Sequence, residues 1–127
     1  NTDNPGEFTF SPIYRIPKSE KFYSGKLVIL VNEETVGNQE YTTMAFKAGN
    51  NTTIIGSQTG GFDGNNTQII LPGELITFIS GNGVYYPDGK GTQRIGIIPD
   101  IEVKPSIKGI KEGRDELLEK AIEFINQ

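Results

Sequence analysis

The sequence predicts an α/β fold with a mixed sheet, one crossover helix and a C-terminal helix. Three observations carry this. Leu27-Val28-Ile29-Leu30-Val31 is an unbroken aliphatic run that a polar turn leads into a stretch of helical composition. Two apolar runs, 67–71 and 74–80, flank Pro72-Gly73 as a hairpin would. Leu117, Leu118, Ala121, Ile122 and Ile125 then form an apolar stripe at helical spacing near the end of the chain.

Residues 1–25 carry Pro5, Gly6, Pro12 and Pro17 among aromatic and aliphatic residues. They read as an irregular lead-in to the same domain, with short extended pieces at 7–10 and 12–16. The run 27–31 lacks alternation, as a strand buried on both faces does. Asn32-Glu33-Glu34-Thr35-Val36-Gly37 breaks it, and a helix is expected over 40–48 with Tyr41, Met44, Ala45 and Ala48 on one face. Gly49 supplies its C-cap, and 52–55 is a short β-branched strand ended by Gly56. Strand, helix and strand in this order form a parallel crossover unit.

The segment 56–66, Gly-Ser-Gln-Thr-Gly-Gly-Phe-Asp-Gly-Asn-Asn, is glycine-rich and can either approach a ligand closely or simply turn. No lysine followed by serine or threonine lies in it, so it is not a phosphate-binding loop. Beyond the hairpin, short extended pieces are expected at 84–86, 95–98 and 101–103, a linker at 104–111, and a helix from Glu112 or Gly113 to about Asn126. Tyr85 and Tyr86 are expected to cover a sheet face. Asp63, Asp88 and Asp100 sit where turns favour aspartate, and no metal site or cofactor is expected of them.

Composition narrows the chemistry further. The 127 residues amount to one domain, with a formal charge of −4 that disfavours nucleic acid as a partner. No apolar run approaches the roughly 20 residues of a membrane span. The sequence has no cysteine and no histidine, which removes thiol nucleophiles, thiolate and imidazole metal sites, and any serine–histidine pair formed within the chain.

Three segments together resemble the tail-specific (C-terminal processing) serine peptidases, relatives of the tricorn core and the interphotoreceptor retinoid-binding proteins. They are Lys26 to Phe46 (KLVILVNEETVGNQEYTTMAF), Thr52 to Asn65 (TTIIGSQTGGFDGN) and Gly83 to Val103 (GVYYPDGKGTQRIGIIPDIEV). The resemblance spans about 26–124 and implies a crotonase/Clp-protease-like arrangement and the C-terminal part of a catalytic domain over 26–127. It also implies peptide-bond hydrolysis through an acyl-enzyme on a serine that lies three residues before a helix-opening glutamate.

Anchored on Glu40, that serine position falls on Gly37, which has no hydroxyl. Thr35, Ser57 and Thr59 are the nearest alternative hydroxyls. The loop position of the family's catalytic lysine falls on Phe62 and Asp63, and an acid expected after the Pro-Asp-Gly turn is replaced by Gly91. Asn38 would supply an oxyanion N–H, and Asn38, Gln39, Gly60, Gly61 and Gly64 would line an oxyanion or peptide-binding site.

Three readings stand open on the sequence: a domain deficient in hydrolysis, a module that binds a peptide or protein C-terminus at an open helix N-terminus, and a peptidase completed by residues outside the chain. The expected partners are such a peptide and an N-terminal part of the same domain. By resemblance the setting is the periplasm or cell envelope of a bacterium.

Overall fold

A computed structural model describes Glu7, residues 9–13, Arg15 and residues 17–127. The expected extended pieces at 7–10 and 12–16 include Phe8, Tyr14 and Ile16, which lie outside the described residues. The elements are β1 (Leu27–Val31), α1 (Asn38–Lys47), β2 (Thr52–Gly56), β3 (Asn66–Leu71), β4 (Leu75–Ser80), β5 (Ile101–Glu102), α2 (Ile107–Lys111) and α3 (Glu116–Ile125).

β1, α1 and β2 form the expected crossover. β1 and β2 pair in parallel from Leu27 against Thr52 to Val31 against Gly56, and β5 joins β2 on its other side, also in parallel. β2 is thus the central strand, and Ile54 and Ile55 are its fully buried residues. β1 is an edge strand among the described residues. Val31 is buried while Leu30 is 38% exposed, so the expectation of burial on both faces fails for β1. Ile29, Val31 and Ile54 fall on one face by strand alternation and pack with Ile97, Met44 and Tyr86 as the core. Burying a side chain such as Ile54 stabilises the fold by about 1.5–3 kcal/mol.

The hairpin forms as the sequence predicts, with β3 and β4 antiparallel from Asn66 against Ser80 to Leu71 against Leu75. Parallel and antiparallel pairings nevertheless stand in two separate sheets rather than in one mixed sheet. The expected strand at 84–86 reduces to a single bridge between Tyr85 and Gly91, and 95–98 is irregular. Residues 104–111 are not a plain linker. Ser106 accepts from the Gly109 N–H at 2.9 Å and caps α2, which gives way to Gly113 at φ 68°. Asp115 accepts from the Leu118 N–H at 3.0 Å and starts α3 afresh, so the terminal helix begins later than composition suggests. Its far end is held by Lys26, whose ammonium lies 3.4 Å from the Phe124 and Ile125 carbonyls, where the dipole favours a cation. No helix among the described residues is long and apolar enough to cross a membrane.

Candidate functional site

The turn between β1 and α1 is built by its own side chains. Asn32 Oδ1 accepts from the Glu34 N–H at 3.1 Å and from the Thr35 hydroxyl at 3.3 Å. Thr35 Oγ1 accepts in turn from the Asn32 N–H at 3.1 Å. The chain then passes through Gly37 at φ 60° and ψ −121°, a conformation that L side chains rarely adopt, and enters α1 at Asn38. The helix starts earlier than expected because Glu40 reaches back and accepts the Gly37 N–H at 3.0 Å, one half of a capping box.

The same carboxylate holds the other side of the site. Glu40 Oε1 accepts from the Gly61 N–H at 2.8 Å and from the Thr59 hydroxyl, while Thr59 Oγ1 accepts the Ile97 N–H at 2.7 Å. Glu40 is completely buried, with three donors on its two oxygens. The Gly60 N–H adds a bond to Thr35 O at 3.1 Å. One carboxyl side chain therefore ties the turn to the glycine-rich loop. The inward side of α1 is accordingly mixed: Glu40 and Thr43 are buried and Met44 packs on the core as expected, whereas Tyr41, Ala45 and Ala48 are exposed, against the apolar face expected of them.

A further polar cluster fixes the end of the loop. Asp63, 2% exposed, accepts from the buried Thr92 hydroxyl at 3.0 Å and from the Gly64 N–H at 2.8 Å. Gln93 Nε2 donates to Asp63 O and to Asn82 O, each at 3.0 Å. Half-buried Tyr86 lies nearby: burial raises its pKa, and the Asp63, Asp88 and Glu40 charges raise it further.

Between turn and loop opens a cleft of about 540 Å³. Val36, Gly37 and Asn38 line one wall; Phe62, Gly64, Asn65 and Asn66 line the other. A shallower groove of about 410 Å³ runs past Leu30, Thr35, Gln39 and Thr42, with Asn38 on the border of both. Of the residues singled out in the sequence, Gly37, Asn38, Phe62 and Gly64 thus meet in the cleft, and Gln39 lies in the adjoining groove. Gly60, Gly61 and Asp63 stand behind the surface in the hydrogen-bond framework.

The alternative hydroxyls are all engaged. Thr35 is bound within the turn and Thr59 is 6% exposed on Glu40. Ser57, also 6% exposed, donates to Glu33, whose pKa is lowered chiefly by that hydroxyl. Gly91 pairs with Tyr85 and does not line the cleft. Sequence reasoning used Glu40 only as a marker of the helix start. Its spacing of three from Gly37 signalled the cap, but nothing local signalled Thr59 and Gly61 as its other partners.

The strand, sharp turn and helix, facing a glycine-rich loop, are accompanied by a family match. Residues 3–103, more than half of the chain, match the model of Peptidase family S41. The chain belongs to that family.

Solved structures place this S41 chain among known folds. It is similar to a protein from Parabacteroides merdae ATCC 43184 assigned as a peptidase, with a TM-score of 0.80 and 24% identity over 90% of this chain and 36% of that one. Mature CPAF complexed with lactacystin gives a TM-score of 0.76 and 23% identity over 87% of this chain and 22% of that one. The photosystem II D1 C-terminal processing protease gives 0.54 and 26% over 66% of this chain and 22% of that one. This chain therefore spans about a third or less of the length of these structures. No curated protein matches it.

Proposed function

We propose that residues 26–127 are the C-terminal part of a tail-specific serine peptidase-like catalytic domain that does not itself hydrolyse peptide bonds, because Gly37 occupies the nucleophile position. The observation that carries this reading is the geometry at Gly37. Nucleophiles that attack carbonyls stand on sharp, strained strand-to-helix turns, where the side chain projects and backbone donors converge. Gly37 has that backbone, with φ 60° and ψ −121°, between β1 and α1. A Cβ built on it would meet nothing closer than Phe62 O at 3.8 Å, so the space for a side chain is present and the hydroxyl is not. The exposed Phe62 ring and the buried, hydrogen-bonded Asp63 stand where the family's lysine would act as base.

Removing a nucleophile leaves only the residual catalysis of binding and oxyanion donors. The test is a peptide-cleavage assay on the full-length protein with an unstructured protein substrate. The expected result is no turnover above buffer; turnover abolished by a Gly37→Leu substitution overturns the reading.

The cleft favours a second role for the same domain, peptide binding without cleavage. Its volume lies within the usual range for ligand sites, roughly 300–1,000 Å³. The rest of the domain, in a crotonase-like arrangement, and a bacterial cell-envelope setting belong to this proposal. It draws support from the family membership, and cell fractionation tests the setting.

A further inference from the structure

Glycine follows an aspartate or asparagine at Asp63-Gly64, Asn82-Gly83 and Asp88-Gly89. Such pairs are labile, because a glycine N–H with no Cβ beside it can reach the side-chain carbonyl carbon before it. The fold restrains two of them. Asp63 is 2% exposed, with the Gly64 N–H on one oxygen at 2.8 Å and the Thr92 hydroxyl on the other at 3.0 Å. The Gly89 N–H donates to Tyr86 O at 2.8 Å, and Asp88 takes the Lys90 N–H at 3.1 Å and the Lys90 ammonium at 2.9 Å.

Asn82-Gly83 has no such restraint. Both residues are exposed, and among the described residues neither the Asn82 side-chain amide nor the Gly83 N–H has a hydrogen-bond partner. An uncharged amide carbon also accepts a nucleophile more readily than a carboxylate carbon. A side chain at 83 would come within 2.8 Å of the Tyr85 ring, so packing calls for glycine here and the lability comes with it.

The main chain at this pair is fastened to the glycine-rich loop. Gln93 Nε2 donates both to Asn82 O and to Asp63 O, each at 3.0 Å, and the Gly81 N–H donates to Asn65 O at 2.8 Å. A Cβ on Gly64 would stand 2.5 Å from Asn82 O, so the two backbones are in contact. Gly64 and Asn65 line the cleft.

We propose that Asn82 is a site of spontaneous deamidation whose product loosens this clasp. The Gly83 nitrogen attacks Asn82 Cγ, and its proton leaves with the side-chain amine as ammonia, giving a cyclic imide. Water then opens the imide. Breaking the bond from the Gly83 nitrogen to Cγ gives aspartate. Breaking the bond to the former backbone carbonyl carbon gives isoaspartate, with the main chain running through the side chain and longer by one methylene. The carbonyl that Gln93 holds is thus itself a reacting group, and in isoaspartate it becomes a free carboxylate off the main chain. A negative charge then stands behind the Gly64–Asn65 wall.

The experiment keeps the full-length protein in mildly alkaline buffer and follows every asparagine of residues 26–127 over days by peptide mapping and mass spectrometry, with fragmentation that distinguishes isoaspartate. Asn82 should convert about tenfold or more faster than any other, to both products, and faster as pH rises because the attacking nitrogen must lose its proton. Asn82→Gln keeps the amide and the main-chain acceptor but needs a larger ring, and should suppress conversion at 82. Amide hydrogen exchange over 61–66 should be faster in the converted protein than in fresh protein or the aged Asn82→Gln variant. Conversion at 82 no faster than at the other asparagines overturns the inference. Conversion with exchange over 61–66 unchanged overturns the loosening of the clasp.

Discussion

The glycine-rich loop and the β3–β4 hairpin follow one another in sequence and are held by opposite means. The loop has irregular backbone, yet Ser57, Thr59 and Asp63 in it are 6%, 6% and 2% exposed and each is hydrogen-bonded. The hairpin has a regular ladder, yet Ile70, Leu75, Ile76 and Phe78 are 59–69% exposed. Order in the loop comes from buried polar groups with matched partners; order in the hairpin comes chiefly from backbone pairing. Buried polar groups are costly unless they are fully satisfied, so the loop is the region where a single substitution does most damage.

The largest effect is expected at Glu40. Glu40→Ala orphans three donors that cost about 1–3 kcal/mol each when buried unpaired, and should destabilise the protein by about 4 kcal/mol in chemical denaturation. A loss below about 1 kcal/mol would mean that the turn and loop do not depend on this carboxylate.

Gly37→Ser comes next. The site has room for the side chain, so only the backbone conformation resists, at about 1–2 kcal/mol by the same measurement. A larger loss would place a steric obstacle where the structure has open space.

A third test extends the polar logic to Asp100, which accepts from the Ile54 N–H at 2.8 Å and pairs with Lys47 of α1. Burial alone would raise its pKa, but the Lys47 bond and the Ile54 N–H outweigh it and hold the carboxyl below its ordinary value. A folded-state pKa below the unfolded one gives stability that is present above the unfolded value of about 4 and lost as pH falls through the folded value. Acid titration of unfolding should therefore show a steeper loss of stability below about pH 4 in the parent than in Asp100→Asn.

The smallest effect belongs to the hairpin. Phe78→Ser, at an exposed position, should change stability by no more than about 0.5 kcal/mol, and a loss of several kcal/mol would show that β4 is packed rather than solvent-facing.

This contrast also marks what could be read from sequence. The crossover was legible because five aliphatic residues, a turn and a helix-opening glutamate are local signals, and the hairpin because Pro72-Gly73 sits between two apolar runs. Burial was not legible in either. β1 is the more hydrophobic strand, but β2 is central because β5, from about fifty residues later, pairs with it. Glu40 is a surface residue by composition and is buried because Thr59 and Gly61 come to it from the facing loop. α2 was missed because five residues with Gly109 among them carry little helical signal, although Ser106 as its cap was there to be read. The place of Gly37 in the site followed from family resemblance and its spacing from Glu40; its glycine-favoured backbone is information that only the fold contains.

The proposal that Gly37 holds a nucleophile position without a hydroxyl is reached directly by one measurement. The full-length protein is treated with a fluorophosphonate, digested, and read by mass spectrometry for the site of any adduct. The account predicts no labelled residue between Lys26 and Gln127, with Thr35, Ser57 and Thr59 unmodified. A stoichiometric adduct on any hydroxyl of that segment would contradict it.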